Sequence, residues 1–228
     1  MNPDYNYAAV AGGTIVAMAL AAGFSYGYVW TTLVDFSAPV QTITNLKNAL
    51  PIFRAGIAGW LFIALCDVVA AWALYLLFKS THPGLALLVA LLRLAYTGFL
   101  EMAIGDLLSA TALLESGAEL SPDLLNQQVL LQLESFEDTW SIGLILFGLH
   151  LAALGLLVRQ TKAGHWIWGI LLLIAGCSYT LLHLQSLLGI APNVAWGTIE
   201  NILAVPMTIG ELGFALWLLV KQPQFNSK

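Results

Sequence analysis

Four ionisable side chains lie deep inside apolar stretches of the sequence: Asp67, Arg93, His150 and Glu211. An ionisable group near the middle of a bilayer costs roughly 2.5 to 3.5 kcal/mol on insertion scales, so each should avoid lipid and have a partner. A guanidinium fork matches carboxylate geometry and can bridge two carboxylates, while an imidazole adds acid/base or metal-binding chemistry. The sequence therefore predicts that these four residues meet in a buried polar cluster.

Further polar side chains occur at similar depth. Tyr96 and Glu101 follow Arg93 by three and eight residues, which places them on one face of a helix. Ser178 and Tyr179 supply hydroxyl groups at matching depth in another apolar stretch. The predicted binding or buried polar site consists of Asp67, Arg93, Tyr96, Glu101, His150, Ser178, Tyr179 and Glu211.

Three kinds of function are compatible with such a cluster. The favoured hypothesis is binding or transport of a small polar, cationic or amphipathic ligand, in an outward-opening polar cavity inside the membrane. The second is an intramembrane enzyme acting on a lipid or lipid-linked substrate, with His150 and Glu211 as acid/base groups or metal ligands. The third is a membrane scaffold in which the charged cluster is purely structural. The sequence leaves enzymatic activity open and assigns no catalytic residue.

Neither a metal nor a cofactor is expected. A catalytic zinc site needs about three ligands at one level and an open position, and here only His150 with Asp67 and Glu211 qualifies. The depths of His150 and His183 disagree, which disfavours haem ligation by the pair. Both cysteines, Cys66 and Cys177, lie in apolar runs away from any CxxC motif.

Composition shows which elements must hold these residues. The 228-residue chain is 59% hydrophobic and only 9% charged, with a mean hydropathy of +0.83, whereas a soluble domain carries about 25% charged residues. Such segments satisfy their backbone groups internally as helices. We therefore predict a single all-α transmembrane domain over residues 1–228. Its six predicted spans are residues 8–30, 55–78, 84–113, 140–158, 166–188 and 199–220.

The connections indicate two outer segments and an orientation. Ser121-Pro122-Asp123 is typical of a helix start, and it predicts an amphipathic helix that packs against the bundle or continues into the fourth span. The first connection, residues 31–53, is polar and interrupted by Pro39 and Pro51.

Basic residues on one side of the membrane are Lys79, Arg159, Lys162, Lys221 and Lys228; those on the other are Lys47 and Arg54. This bias predicts cytoplasmic termini. The outer face is acidic, with Asp35, Glu115, Glu119, Asp123, Glu134, Glu137 and Asp138.

The charge balance limits the partners. The formal net charge is -5, and no basic patch is interleaved with aromatic residues, so nucleic acid is not expected to bind. The expected partners are membrane lipids and a small ligand or cation, and a homo-oligomer remains open.

Several short motifs also occur in a recognisable order. They are Phe53-Arg54-Ala55-Gly56, Cys66-Asp67-Val68, Leu91-Leu92-Arg93-Leu94, Phe147-Gly148-Leu149-His150, and Gly210-Glu211-Leu212 followed by Leu216-Trp217-Leu218-Leu219. In these motifs the chain resembles a bacterial family of small multi-span membrane proteins defined only as a domain of unknown function. The resemblance implies a bacterial cytoplasmic-membrane protein with about this number of spans, and it implies no activity.

Overall fold

The computed structural model describes residues 3–116, 121–161, 166–190 and 194–221, and within these ranges the regular structure is helical. The α-helices are α1 (Pro3–Phe24), α2 (Thr31–Leu33), α3 (Pro39–Asn48), α4 (Leu50–Phe78), α5 (Pro83–Ser116), α6 (Pro122–Arg159), α7 (Trp166–Leu187) and α8 (Val194–Lys221). The predicted all-α class is confirmed. Glu119, Lys162 and Lys228 lie outside the described residues.

Among the described residues, five helical segments are long and apolar enough to cross a membrane: Tyr7–Leu33, Leu50–Phe78, Pro83–Ser116, Pro122–Arg159 and Trp166–Leu187. The sixth predicted span falls in α8, whose described apolar part, Val205–Val220, is shorter than these five. Large apolar side chains are exposed along these helices; Leu20 is 73% exposed and Val220 is 76% exposed. Because water would penalise so much apolar surface, lipid is the solvent that these faces require. The chain is an integral membrane protein.

Local chemistry sets the helix boundaries. Proline occupies the first position of α3, α5 and α6, where its missing N–H removes no helical hydrogen bond. At the start of α6, the backbone N–H of Leu124 donates to the Ser121 hydroxyl oxygen at 3.4 Å. After α7, Gly189 adopts a φ of 64°, a left-handed conformation that glycine favours beyond a helix C-terminus.

Both long connections contain helix. The predicted amphipathic segment begins at Pro122 and continues without a break into the fourth span. This is the second of the two arrangements predicted for it. The apolar residues that recur every three or four positions along this segment are buried: Leu125, Val129, Leu133 and Phe136. The first connection contains α3, and the helical structure is interrupted just before each of its prolines, because Pro39 and Pro51 both lie in first turns.

The helices divide into two compact units. The first comprises Met1–Ala17, Cys66–Gly98 and Ser141–Lys228. In this unit α6 and α7 approach closely through glycines. A Cβ atom on Gly155 would lie 2.6 Å from the carbonyl oxygen of Gly169, and one on Gly148 would lie 2.6 Å from that of Gly176. Small residues seven apart on each helix therefore bring the two backbones together, as is typical of membrane helices.

The second unit comprises Met18–Leu65 and Phe99–Trp140, and aromatic rings form much of its interior. The Trp60 ring lies 4.8 Å from that of Trp140 and 5.5 Å from that of Phe136, measured between centroids. A π-helical turn, Ser25–Trp30, brings Trp30 into the same group, 4.9 Å from Phe136. Centroid separations of this size are favourable for aromatic pairs.

Candidate functional site

Arg93 lies at the centre of a buried polar cluster in the first unit. Its Nε donates to Asp67 Oδ1 at 2.7 Å, and both Nη atoms donate to Glu211 Oε1 at 3.2 Å. Nη1 also lies 3.1 Å from His150 Nε2. One guanidinium thus joins side chains from α4, α6 and α8 to α5. We call Asp67, Arg93, His150 and Glu211 the Arg93 cluster.

The cluster is almost entirely removed from solvent and lipid. The side chains of Asp67 and Arg93 are each 1% exposed, and His150 is 0% exposed. Glu211 differs, because 20% of its side chain is exposed. It is therefore the member of the cluster that a group from outside can reach.

The two neighbours of His150 assign its tautomer. Its Nδ1 lies 2.8 Å from the backbone carbonyl oxygen of Val89, which can only accept, so Nδ1 carries the proton. Arg93 can only donate, so Nε2 is unprotonated and accepts from the guanidinium. His150 is thus a neutral imidazole, with both ring nitrogens engaged.

Charge in the cluster is unbalanced. Asp67 and Glu211, when ionised, carry one negative charge more than Arg93 supplies, and neutral His150 adds none. Within the described part of the chain, Asp67 Oδ2 is buried and has no hydrogen-bond partner. A buried carboxylate oxygen without a partner is costly, because it has lost its hydration without replacement.

Phe147 forms an aromatic wall of the cluster. Its ring centroid lies 5.5 Å from Arg93 Cζ, within the range of cation–π attraction, and 5.7 Å from the His150 ring. Tyr96 packs against the same ring at 4.9 Å, and Tyr179 meets it edge-on at 5.2 Å. The sequence-based site omitted Phe147, although its position three residues before His150 places it on the same helical face.

The remaining predicted residues divide between the cluster's surroundings and the surface. Tyr96 and Tyr179 border the cluster through Phe147, whereas the Ser178 hydroxyl donates to the carbonyl oxygen of Ile174 in its own helix at 2.8 Å. Glu101 belongs to the second unit, and its side chain is exposed. Eight residues rotate a helix by roughly 80° beyond two full turns, which is enough to leave the face of Arg93.

Two other polar features involve residues outside the Arg93 cluster. In the first unit, Ser141 Oγ is 2.8 Å from His183 Nδ1. In the second unit, Ser25 Oγ is buried and has no hydrogen-bond partner among the described residues. Ser25 lines a cavity of about 10 Å³, bounded also by Trp30 and Trp60, and this is about the space of one water molecule.

Metal ligation receives no geometric support from the described residues. Among them, no group of three or more histidine, cysteine, aspartate or glutamate side chains is arranged to hold a metal ion. In the Arg93 cluster, the guanidinium occupies the position between the carboxylates, and it also uses the free lone pair of His150.

Residues 10–221 match the family described as domain of unknown function, DUF4386. An uncharacterized protein from Archaeoglobus fulgidus is 28% identical over 185 residues, an alignment that covers 80% of this chain and 92% of that protein. No solved structure matches the chain.

Proposed function

The chain belongs to the DUF4386 family, and we propose that it binds a small cation at the Arg93 cluster, within the membrane. A family of unknown function contributes no substrate, so the proposal depends on the chemistry of the cluster. The observation that carries it is Asp67 Oδ2, a buried carboxylate oxygen without a partner among the described residues.

The charge balance supports a positive ligand. An anion would add to the excess negative charge of Asp67 and Glu211, and a neutral ligand would leave it uncompensated. A cation removes the excess, and in a low-dielectric interior that compensation is worth far more than in water. Since Glu211 is the partly exposed carboxylate, it is the group that a cation meets first.

An acid/base role for His150 is less well supported. A general base needs a free lone pair near its substrate, and the Nε2 lone pair of His150 accepts from Arg93. The Nδ1 proton is donated to Val89. Lipid hydrolysis or a metal-ligand role would first require the Arg93–His150 contact to break.

The orientation and location belong to the same proposal. Lys79 and Arg159 follow the second and fourth predicted spans and support cytoplasmic termini. We place the protein in the cytoplasmic membrane of a bacterium, with lipids around the helices.

Ligand-dependent stability tests the proposal. The full chain in lipid nanodiscs is unfolded thermally at fixed ionic strength while sodium, potassium, ammonium or proton concentration is varied. A ligand that binds only the folded state at 100 times its Kd stabilises it by about 2.7 kcal/mol. We expect at least one of these cations to stabilise the wild type.

Isosteric variants identify the site. Asp67→Asn and Glu211→Gln each remove the excess charge and should abolish or reduce the cation response. Glu101→Gln is the matched control, because it removes an exposed carboxylate of α5 and should leave the response unchanged. A wild-type protein indifferent to all four cations, or a response equal in Glu211→Gln and wild type, would contradict the proposal.

A further inference from the structure

We infer that the cation of the Arg93 cluster is a proton, shared between the carboxyl groups of Asp67 and Glu211 and exchanged through Glu211. The inference rests on the proposed function, since it names the ligand of the same site. Its basis is the packing of the cluster together with Asp67 Oδ2, a buried oxygen without a hydrogen-bond partner among the described residues.

Space and ligand number favour a proton over a metal ion. Metal cations such as Mg²⁺ and Ca²⁺ take six or more oxygen ligands. In the Arg93 cluster, Asp67 Oδ1 and Glu211 Oε1 already accept from the guanidinium, and Asp67 is 1% exposed. A proton needs one lone pair and no cavity, and Asp67 Oδ2 offers such a lone pair. The nearby guanidinium repels a metal ion but does not stop a neutral carboxylic acid from forming.

The exchange step is a simple acid dissociation. The O–H bond of the carboxylic acid breaks, its electron pair stays on the carboxylate, and the proton passes to a water molecule to give hydronium. Reloading reverses the step. The partial exposure of Glu211, 20% of its side chain, makes it the group at which water takes or delivers the proton.

Other titratable groups that border the cluster must be separated from it. Cys66 precedes Asp67 on α4, and Tyr96 lies on α5. On α7, Tyr179 and His183 stack with their centroids 6.2 Å apart, and His183 is also paired with Ser141. Of these groups, an ordinary histidine titrates closest to neutral pH, so His183→Gln is the necessary second control.

Infrared spectroscopy of the full chain in lipid membranes tests the inference. At neutral pH the wild type should show the carbonyl stretch of one buried carboxylic acid, shifted on transfer to D₂O. Asp67→Asn and Glu211→Gln should each lose this band, because the remaining carboxylate forms a neutral pair with Arg93 and needs no proton. His183→Gln and Glu101→Gln should retain it. The band of the wild type is measured without any variant, so this part of the test does not depend on a variant that folds. If one of the two cluster variants does not fold, the other still tests the inference.

The outcomes separate the inference from the proposed function. Absence of the band, together with stabilisation by sodium, potassium or ammonium that Glu211→Gln abolishes, would overturn the proton while leaving cation binding intact. A band that persists in both cluster variants would place the acid elsewhere and also overturn it. A wild type whose stability responds to no cation, protons included, would remove the proposed function itself.

Discussion

Arg93→Met is expected to be among the most destabilising substitutions in the chain. Methionine preserves much of the volume and the unbranched shape of arginine, but it removes the donors. The contacts that disappear include those to Asp67 at 2.7 Å, to His150 at 3.1 Å and to Glu211 at 3.2 Å. The buried carboxylate of Asp67 is then left without its counter-charge.

The magnitude follows from two contributions. Side-chain hydrogen bonds inside membranes average about 0.6 kcal/mol, so three lost contacts account for roughly 2 kcal/mol. Removing one partner of a buried ion pair costs about 3 to 5 kcal/mol in total, lost hydrogen bonds included, and the part beyond those bonds arises because the other charge stays buried and uncompensated. The full cost applies to Asp67, whose side chain is 1% exposed, whereas Glu211, whose side chain is 20% exposed, keeps part of its solvation. We expect a loss of about 3 to 5 kcal/mol at neutral pH.

A triple variant separates the two contributions. Asp67→Asn, Arg93→Met and Glu211→Gln together remove every charge of the cluster, so only the cost of the lost hydrogen bonds should remain, about 2 kcal/mol or less. The assay is reversible unfolding in mixed micelles, followed by tryptophan fluorescence, with Glu101→Gln as control. A triple variant as unstable as Arg93→Met alone would refute the argument that uncompensated charge dominates the loss.

Two further predictions concern packing and the surface. Gly155→Ala should lower the free energy of unfolding by about 1 to 3 kcal/mol, because its Cβ would lie 2.6 Å from the Gly169 carbonyl oxygen. Gly13→Ala is the control: nothing lies within 4 Å of its Cβ, so it should be neutral or stabilising in the same unfolding assay. Ser37 donates through its hydroxyl and its backbone N–H to Asp35, and these hydrogen bonds lower the pKa of that exposed carboxyl below its ordinary 3.8. Ser37→Ala should therefore raise the pKa of Asp35. The stability that the lowered pKa provides is present above pH 3.8 and is lost as the pH falls through the pKa of the folded state. An NMR titration of Asp35 that gives the same pKa in both proteins would contradict the second prediction.

The sequence was most informative about depth along the membrane. A helix rises by about 1.5 Å per residue, so distance from a span end translates directly into depth. Asp67, Arg93, His150 and Glu211 lie near the middle of separate apolar runs, and lipid penalises each of them. Those two facts were sufficient to group the four residues that the structure brings together.

Rotation about each helix was harder to predict. Glu101 shares an approximate face with Arg93 by residue spacing, yet the accumulated turn leaves its side chain exposed. The sequence also gave no direct sign that Gly148 and Gly155 would pack against glycines of α7, because small residues occur in several spans and only tertiary contact selects the pair.

Local hydrogen bonding was beyond prediction for a different reason. The tautomer of His150 depends on the backbone carbonyl of Val89. Every residue has such a group, so residue type does not predict this contact. Pro39 and Pro51 predict interruptions, but a proline in the first turn of a helix breaks no hydrogen bond, so residue type alone does not show that α3 begins at Pro39. Both cases depend on knowing where a helix begins and which carbonyl faces a side chain.

The members of the Arg93 cluster are held unequally, and this inequality sets the order in which a ligand would act on them. Asp67 accepts at 2.7 Å from a guanidinium as buried as itself, whereas Glu211 accepts at 3.2 Å and is 20% exposed. Glu211 also lies five residues after Pro206, inside α8, where the missing backbone N–H interrupts the helical hydrogen bonds. Binding of the proposed cation should therefore alter the Glu211–Arg93 contact first, while the Asp67–Arg93 contact persists. Because the same Nη1 atom of Arg93 contacts both Glu211 and His150, we expect the Arg93–His150 contact to change next.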